Sequence, residues 1–186
     1  MDSREELRLI RRIADKDRDA LSELFLGYHP RLFKFIYRLS DSYTVADELV
    51  NDVMLTIWQK AASFRGDSRV STWIFGIAYR LTMRRVTKKK LQLADIADNE
   101  HLAAPDAADL ETQNWVHRGL QSLPPAQKMT VILVFYLGLT YEETAEITEC
   151  PVNTVKTRMF HARRKLKGLL EASASPRKRL DESAHE

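Results

Sequence analysis

Apolar residues recur at intervals of three and four along most of this 186-residue chain, and this spacing limits the fold more than any other feature. The spacing runs through seven segments: residues 7–13, 20–39, 45–62, 71–89, 125–137, 141–148 and 152–170. A period of 3.6 is that of helices with one buried face, and no segment shows the alternation of a strand. The chain also has only six glycines and six prolines, so we predict an all-α fold with an interruption near Pro30.

An acidic stretch without a strong helical period separates the predicted helices into two small helical domains. The stretch from Gln92 to Trp115 holds six carboxylates and no lysine or arginine, and residues 92–109 lack a strong helical period. We therefore expect a flexible acidic linker at 92–109, with a first domain at 1–91 and a second at 110–171. Residues 172–186 are rich in serine and charge and are predicted to be a disordered tail.

The second domain is predicted to contain a helix-turn-helix. Residues 140–143 read Thr-Tyr-Glu-Glu, a capping box that starts a short helix, and residues 149–151 form a turn before a longer helix. From Asn153 to Lys167 that helix holds six cations and no acid. A solvated helix face usually mixes both signs, so this face favours contact with DNA phosphates. Asn153, Thr154 and Thr157 are short enough to approach base edges near its start.

Phe160 falls among the charged side chains of this helix, although the apolar stripe through Val155, Met159 and Ala162 is complete without it. Two interpretations remain open at this point. The ring packs on another part of the domain, such as its N-terminal flank, or it touches a thymine methyl group in the major groove.

The first domain carries a second basic block and an acidic helix face. Arg80 to Lys90 holds six cations after an aromatic segment, a combination that suits single-stranded nucleic acid, although Trp73 also fits a core position. Asp47, Glu48, Asn51 and Asp52 lie largely on one exposed helix face, with Leu49, Val53, Ile57 and Ala61 inward. This row indicates a partner-binding or solvated face rather than a metal site.

Nothing in the sequence favours catalysis. The five histidines have no metal-ligand spacing, no glycine-rich phosphate loop is present, and no nucleophile has a recognisable setting. The lone Cys150 is expected to be a small packed residue, with a redox switch as the alternative. No segment has the ~20 apolar residues that span a bilayer. We expect a cytoplasmic protein with no membrane insertion, no catalytic site, no metal and no cofactor.

Five stretches of the chain together resemble the extracytoplasmic-function (ECF) group of bacterial RNA polymerase sigma factors. They are DALSELFLGYHPRLFKFIYRL, ADELVNDVMLTIWQK, FRGDSRVSTWIFGIAYR, LQSLPPAQKMTVILVFYLGLTYEETAEIT and CPVNTVKTRMFHARRKL. The resemblance covers about residues 19–90 and 120–170. It implies a promoter-specificity subunit that binds core RNA polymerase and, usually, a cognate anti-sigma factor.

The resemblance also implies roles for particular residues. The −35 promoter DNA would meet Asn153, Thr154, Lys156, Thr157, Phe160, His161 and Arg164. The −10 DNA, melted to single strands, would meet Phe64, Arg65, Ser71, Trp73, Arg80, Arg84 and Arg85. Core polymerase would bind Asp47, Glu48, Asn51 and Asp52. The sequence departs from the common family residue at Asn51, Arg80, Asn153 and His161.

Two other functions compete with this one. A free-standing helix-turn-helix regulator would bind duplex DNA without polymerase, but such regulators typically dimerise and no dimerisation helix is evident. A sigma mimic that binds only an anti-sigma protein would not need an acid-free DNA face.

Overall fold

The computed structural model of the protein describes residues 2–94 and 110–181, with side chains at 2–88 and 116–171. Every regular element in those ranges is helical, which confirms the predicted all-α class. The chain divides into two compact units, one built on the helices before residue 95 and one on the helices after residue 109. The expected flexibility of the linker at 95–109 lies outside the described residues.

The first unit contains four helices and a short 3₁₀ turn. Their bounds are α1 Ser3–Ala14, α2 Arg18–Ser40, α3 Tyr43–Lys60, the 3₁₀ turn Ala61–Ser63 and α4 Val70–Ala94. Asp2, Asp17 and Ser42 cap the first three helices through side-chain oxygens that accept backbone N–H groups. The pKa of the Asp17 carboxyl is lowered by the Ala20 amide and by Arg12, which lies 2.8 Å away.

The core of the first unit draws on all four helices. Its fully buried side chains include Leu9, Ile13, Leu24, Leu32, Phe35, Ile57, Ile74 and Phe75. One polar pair is also buried there, because Tyr28 Oη donates a 2.7 Å hydrogen bond to Glu6 Oε1 between α2 and α1. Burial, followed by this carboxylate, raises the pKa of Tyr28 far above its usual value.

The predicted interruption at Pro30 is wrong, because α2 runs unbroken from Arg18 to Ser40. Proline removes one helical hydrogen bond and costs about 3 kcal/mol. Tyr28 before the proline and Leu32 and Phe35 after it are all fully buried. Their burial on one continuous face offsets that cost.

The second unit also consists of helices. Their bounds are α5 Leu110–Ser122, α6 Pro125–Val131, a π-helical segment Ile132–Tyr136, α7 Tyr141–Thr148 and α8 Val152–Asp181. Gly138 ends the π segment with φ +70°, and the Leu139 N–H donates to the Leu133 carbonyl across this turn. Within the segment at 125–137, Leu133 is buried and Phe135 is 61% exposed.

Two helices extend beyond their predicted ends. α4 continues to Ala94, so residues 92–94 of the expected linker are helical. α8 continues to Asp181, so residues 172–181, expected to be disordered, are helical as well.

Candidate nucleic-acid interface

The helix-turn-helix forms as the sequence predicts, from α7, a tight turn and α8. The capping box is confirmed by two reciprocal bonds between Thr140 and Glu143, at 2.8 and 3.1 Å. Glu149 adopts the left-handed conformation at φ 51°, and the Cys150 N–H donates to the Ala145 carbonyl. The Pro151 carbonyl then accepts the N–H groups of Thr154 and Val155 in the first turn of α8. This turn places the start of α8 at the end of α7.

Helix α8 has one buried side and one exposed, acid-free side in its first four turns. Val155, Met159 and Ala162 are at most 1% exposed and form the buried side. The predicted −35 residues lie on the rest of the helix: Asn153, Lys156, Thr157, Phe160, His161 and Arg164 are exposed and Thr154 is half-buried. All seven therefore share one element and are accessible to a partner.

Phe160 is 62% exposed, so its ring is not packed into the core of the second unit. Its nearest ring is that of His161, met edge-on with centroids 5.5 Å apart. An exposed phenyl ring among cations loses contact with water when it meets another surface. This exposure excludes burial of the ring in the core of the second unit. Packing on the N-terminal flank at 110–115 involves side chains outside the described residues, and contact with DNA stays a prediction.

Cys150 is half-buried in the turn of the helix-turn-helix. Arg158 Nη1 lies 3.4 Å from its Sγ atom, within the distance of a weak hydrogen bond to sulfur. Arg158 therefore points back to the turn rather than to the exposed side of α8.

The predicted −10 residues lie on α4 and on the loop before it. The ring centroids of Phe64 and Trp73 lie 5.1 Å apart, and both side chains are half-buried. Trp73 is therefore neither a core residue nor a fully exposed ring on which a base could stack. Arg65 Nε is 2.9 Å from Asp67 within the loop. The remaining four residues are Ser71, half-buried, and Arg80, Arg84 and Arg85, all exposed.

The acidic row on α3 is exposed as predicted, with Asp47, Glu48, Asn51 and Asp52 at the surface. Leu49, Val53, Ile57 and Ala61 are buried behind it. Glu48 lies 2.6 Å from Arg85 of α4, so the structure pairs two residues that the sequence assigned to different partners. Both side chains are about half exposed, and such a pair contributes at most about 1 kcal/mol.

Sequence reasoning missed one residue on this surface. Leu55 is 54% exposed and lies three residues after Asp52 and four after Asn51, on the same side of α3. Its position in the helical period was the available signal, because Val53, Met54 and Ile57 already fill the buried side.

Two kinds of feature are absent from the described residues, 2–94 and 110–181. In that part of the chain no group of three or more His, Cys, Asp or Glu side chains could hold a metal ion. No helix there is long and apolar enough to cross a membrane.

Two protein-family models match the chain in succession. Sigma-70 region 2 matches residues 24–92, and Sigma-70 region 4 matches residues 113–166. The first match contains α3 and most of α4, and the second contains the helix-turn-helix. All three candidate surfaces, on α3, on α4 with its preceding loop and on α8, therefore lie inside matched regions.

Curated relatives and a solved structure agree with these matches. ECF RNA polymerase sigma factor SigM of Mycobacterium tuberculosis is 31% identical over 83% of this chain and 79% of its own. ECF sigma factor RpoE of Cereibacter sphaeroides is 32% identical, and the match covers 81% of this chain and 87% of the relative. The solved structure of the sigma factor RpoE of Bartonella quintana, in complex with the anti-sigma factor NepR, is also similar. It is 27% identical with a TM-score of 0.68, and the match covers 81% of this chain and 96% of that one. The chain belongs to the ECF group of sigma-70 RNA polymerase sigma factors.

Proposed function

We propose that this chain binds core RNA polymerase and directs it to specific promoters for transcription initiation. The acid-free exposed side of α8 is the observation that carries the proposal, because a recognition helix must approach phosphates without carboxylates in the way. That helix follows a tight turn, the arrangement that lets a recognition helix enter the major groove.

The exposed side of α8 would read the −35 element of duplex promoter DNA. Asn153, Thr154 and Thr157 sit in its first turns, where side chains of a recognition helix reach base edges. Lys156 and Arg164 would neutralise phosphates, His161 would donate to a phosphate or a guanine, and Phe160 would cover a thymine methyl group.

The loop before α4 and the exposed cations along α4 would hold the melted −10 strand. The Phe64–Trp73 pair offers half-buried rings against which an unpaired base can stack. Arg65 and Ser71 lie near those rings in the sequence. Arg80, Arg84 and Arg85 would follow the strand's backbone, and Arg85 would exchange Glu48 for a phosphate.

The acidic row on α3 would dock on core polymerase. Asp47, Glu48, Asn51 and Asp52 present carboxylates and an amide to a basic surface, and Leu55 adds an apolar contact beside them. An exposed apolar side chain within a polar row is typical of a protein interface.

An anti-sigma factor is the regulatory partner we propose, because the similar Bartonella quintana sigma factor was solved bound to NepR. The protein would act in the cytoplasm with its polymerase. It would have no catalytic site of its own, since core polymerase would perform nucleotide addition.

Run-off transcription from a promoter library tests the proposal. The purified chain is assayed with core polymerase, and each component is assayed alone. We expect specific transcripts only when both are present. Tight duplex binding by the chain without any polymerase-dependent transcript would instead support a free-standing regulator, and binding to an anti-sigma protein alone would support a mimic.

A further inference from the structure

Aromatic side chains form a continuous row along α2 and the start of α3. The ring centroids of Phe25 and His29 lie 5.0 Å apart, and His29 and Phe33 follow at 6.1 Å. Phe33 and Tyr37 are 6.3 Å apart, and Tyr43 of α3 meets Phe33 edge-on at 4.8 Å. The first four side chains are half-buried and Tyr43 is 66% exposed. None of these residues belongs to the three surfaces of the proposed function.

An apolar seam runs along the solvent side of this row. Leu26, Pro30, Phe33 and Tyr37 follow one another at intervals of four, three and four residues, and Tyr43 adjoins Phe33. We call these five residues the α2 seam. Leu26 is 75% exposed and Pro30 is exposed as well. Alternating intervals of three and four are those of side chains that meet a second helix, and a contiguous exposed apolar row marks an interaction site.

Positive charge lines one side of the α2 seam. From Leu24 to Ser40 the helix has no carboxylate, and its three cations are Arg31, Lys34 and Arg38. They also follow at intervals of three and four, so they form a second row parallel to the seam. Arg31 and Lys34 are exposed, and the Arg31 guanidinium lies 5.3 Å from the centre of the Phe75 ring. The charge of this flank therefore favours an acidic partner.

The nearest carboxylates lie at the two ends of the seam. Before it, Glu23 is 3.8 Å from Arg8 and 3.7 Å from Arg12, both on α1. After it, Asp41 ends α2 and Asp47 begins the acidic row of α3. Carboxylates of a partner are thus favoured beside the middle turns of the seam and disfavoured at its ends.

We propose that the α2 seam docks an amphipathic helix of a partner protein, with aliphatic side chains on one face and carboxylates along its flank. The segment from Leu26 to Tyr37 is about 17 Å long, enough for three turns of such a helix. This inference goes beyond the proposed function, which assigns no role to α2.

A partner helix fits the seam better than single-stranded nucleic acid does. Bases need open ring faces on which to stack. The rings of His29, Phe33 and Tyr37 stack on one another, with interplanar angles of 19° and 6°, so part of each face is already covered. The most exposed members on α2, Leu26 and Pro30, have no aromatic ring.

The experiment measures binding of two labelled synthetic peptides to the full chain by fluorescence anisotropy, at low and high salt. Both are helical, with leucine at alternating intervals of three and four. One carries glutamate along its flank, and the other carries lysine at the same positions. Leu26→Ala and Lys34→Glu change the seam and its flank. Leu55→Ala and Lys60→Glu are the matched controls, because both residues are exposed on α3.

We expect the wild type to bind the acidic peptide at least about tenfold more tightly than the basic one. Leu26→Ala should weaken the acidic peptide by about fivefold or more. Lys34→Glu should weaken it by about threefold to tenfold at low salt and by less at high salt, and should bind the basic peptide better than the wild type does. Both controls should behave as the wild type. Urea unfolding should be unchanged in all four variants, since each alters an exposed side chain.

Equal affinity for the two peptides, or wild-type affinity of Leu26→Ala for the acidic peptide, would overturn the inference. Three further measurements identify another occupant and would overturn it as well. A single-stranded oligonucleotide that binds less tightly to Leu26→Ala would show a nucleic-acid surface. A dimer that sediments in the wild type and is lost in Leu26→Ala would show a second copy of this chain.

The third measurement is run-off transcription with core polymerase, in which Leu26→Ala should match the wild type. A loss of transcription by this folded variant would assign the seam to polymerase docking instead. Absence of promoter-specific transcription by the wild type would refute the proposed function and would leave peptide binding to be judged by itself.

Discussion

Adjacent residues on α8 allow the folding role and the DNA role of this helix to be separated. Phe160 is 62% exposed and Met159 is 1% exposed, although one peptide bond joins them. Phe160→Ala should therefore remove a DNA contact from a folded domain. Met159→Ala should instead create a cavity in the core of the second unit.

The expected magnitudes follow from these exposures. A phenylalanine side chain offers about 200 Å² in total, so about 120 Å² of Phe160 remains for DNA to cover. At about 25 cal/mol per Å² full coverage is worth about 3 kcal/mol, and partial coverage in a groove about 1–3 kcal/mol. Loss of an exposed side chain changes the free energy of unfolding by about 0.5 kcal/mol or less. Met159→Ala should lower it by about 2–5 kcal/mol.

The assay pairs urea unfolding of each variant with run-off transcription and promoter binding by its holoenzyme. Phe160→Ala should unfold like the wild type, still bind core polymerase, and lose −35-dependent affinity by about fivefold to 150-fold. A stability loss similar to that of Met159→Ala would show that the ring packs in solution. Unchanged promoter affinity in a stable variant would show that Phe160 does not touch the bases.

Three other predictions concern the polymerase surface, the buried pair and the helix cap. Asp52→Lys should impair core-polymerase binding in a pull-down assay while the thermal stability stays unchanged; equal polymerase affinity would refute the docking role. Tyr28→Phe should lower the free energy of unfolding at pH 7 by about 1–3 kcal/mol, since Glu6 loses its buried donor. Because the folded-state pKa of Tyr28 is raised, wild-type stability should fall as pH rises above about 10, and Tyr28→Phe should lack this phase; a fall of equal size in the variant would refute the role of Tyr28. Thr140→Ala should cost about 1 kcal/mol by urea unfolding, and no loss would mean that Glu143 and solvent replace the cap.

Local patterns in the sequence predicted much of the architecture. The helical period identified the buried row of α3 and the buried stripe of α8, because side chains three and four residues apart share one face whatever the helix packs against. The Thr140–Glu143 capping box is similarly local, since both partners lie within one turn. The acid-free side of α8 was predicted from the same kind of information, whereas its −35 role came from the family resemblance and stays a prediction.

Where sequence reasoning failed, long-range packing had overridden a local preference. Proline at position 30 favours a break, yet burial of Tyr28 and Leu32 on one face keeps α2 continuous. Trp73 could not be assigned because its exposure depends on Phe64, nine residues earlier, which covers part of the ring. The ends of α4 and α8 also lie beyond the predicted ones, and in α8 the helix continues past Pro176.

The sequence by itself determined the helices, the helix-turn-helix and the acid-free side of α8, because each depends on residues within a few turns of one another. The tertiary structure decided that Phe160 is exposed and that Glu48 meets Arg85. Those facts join positions up to 37 residues apart. Only the packing of whole helices brings such positions together, and no local period records it.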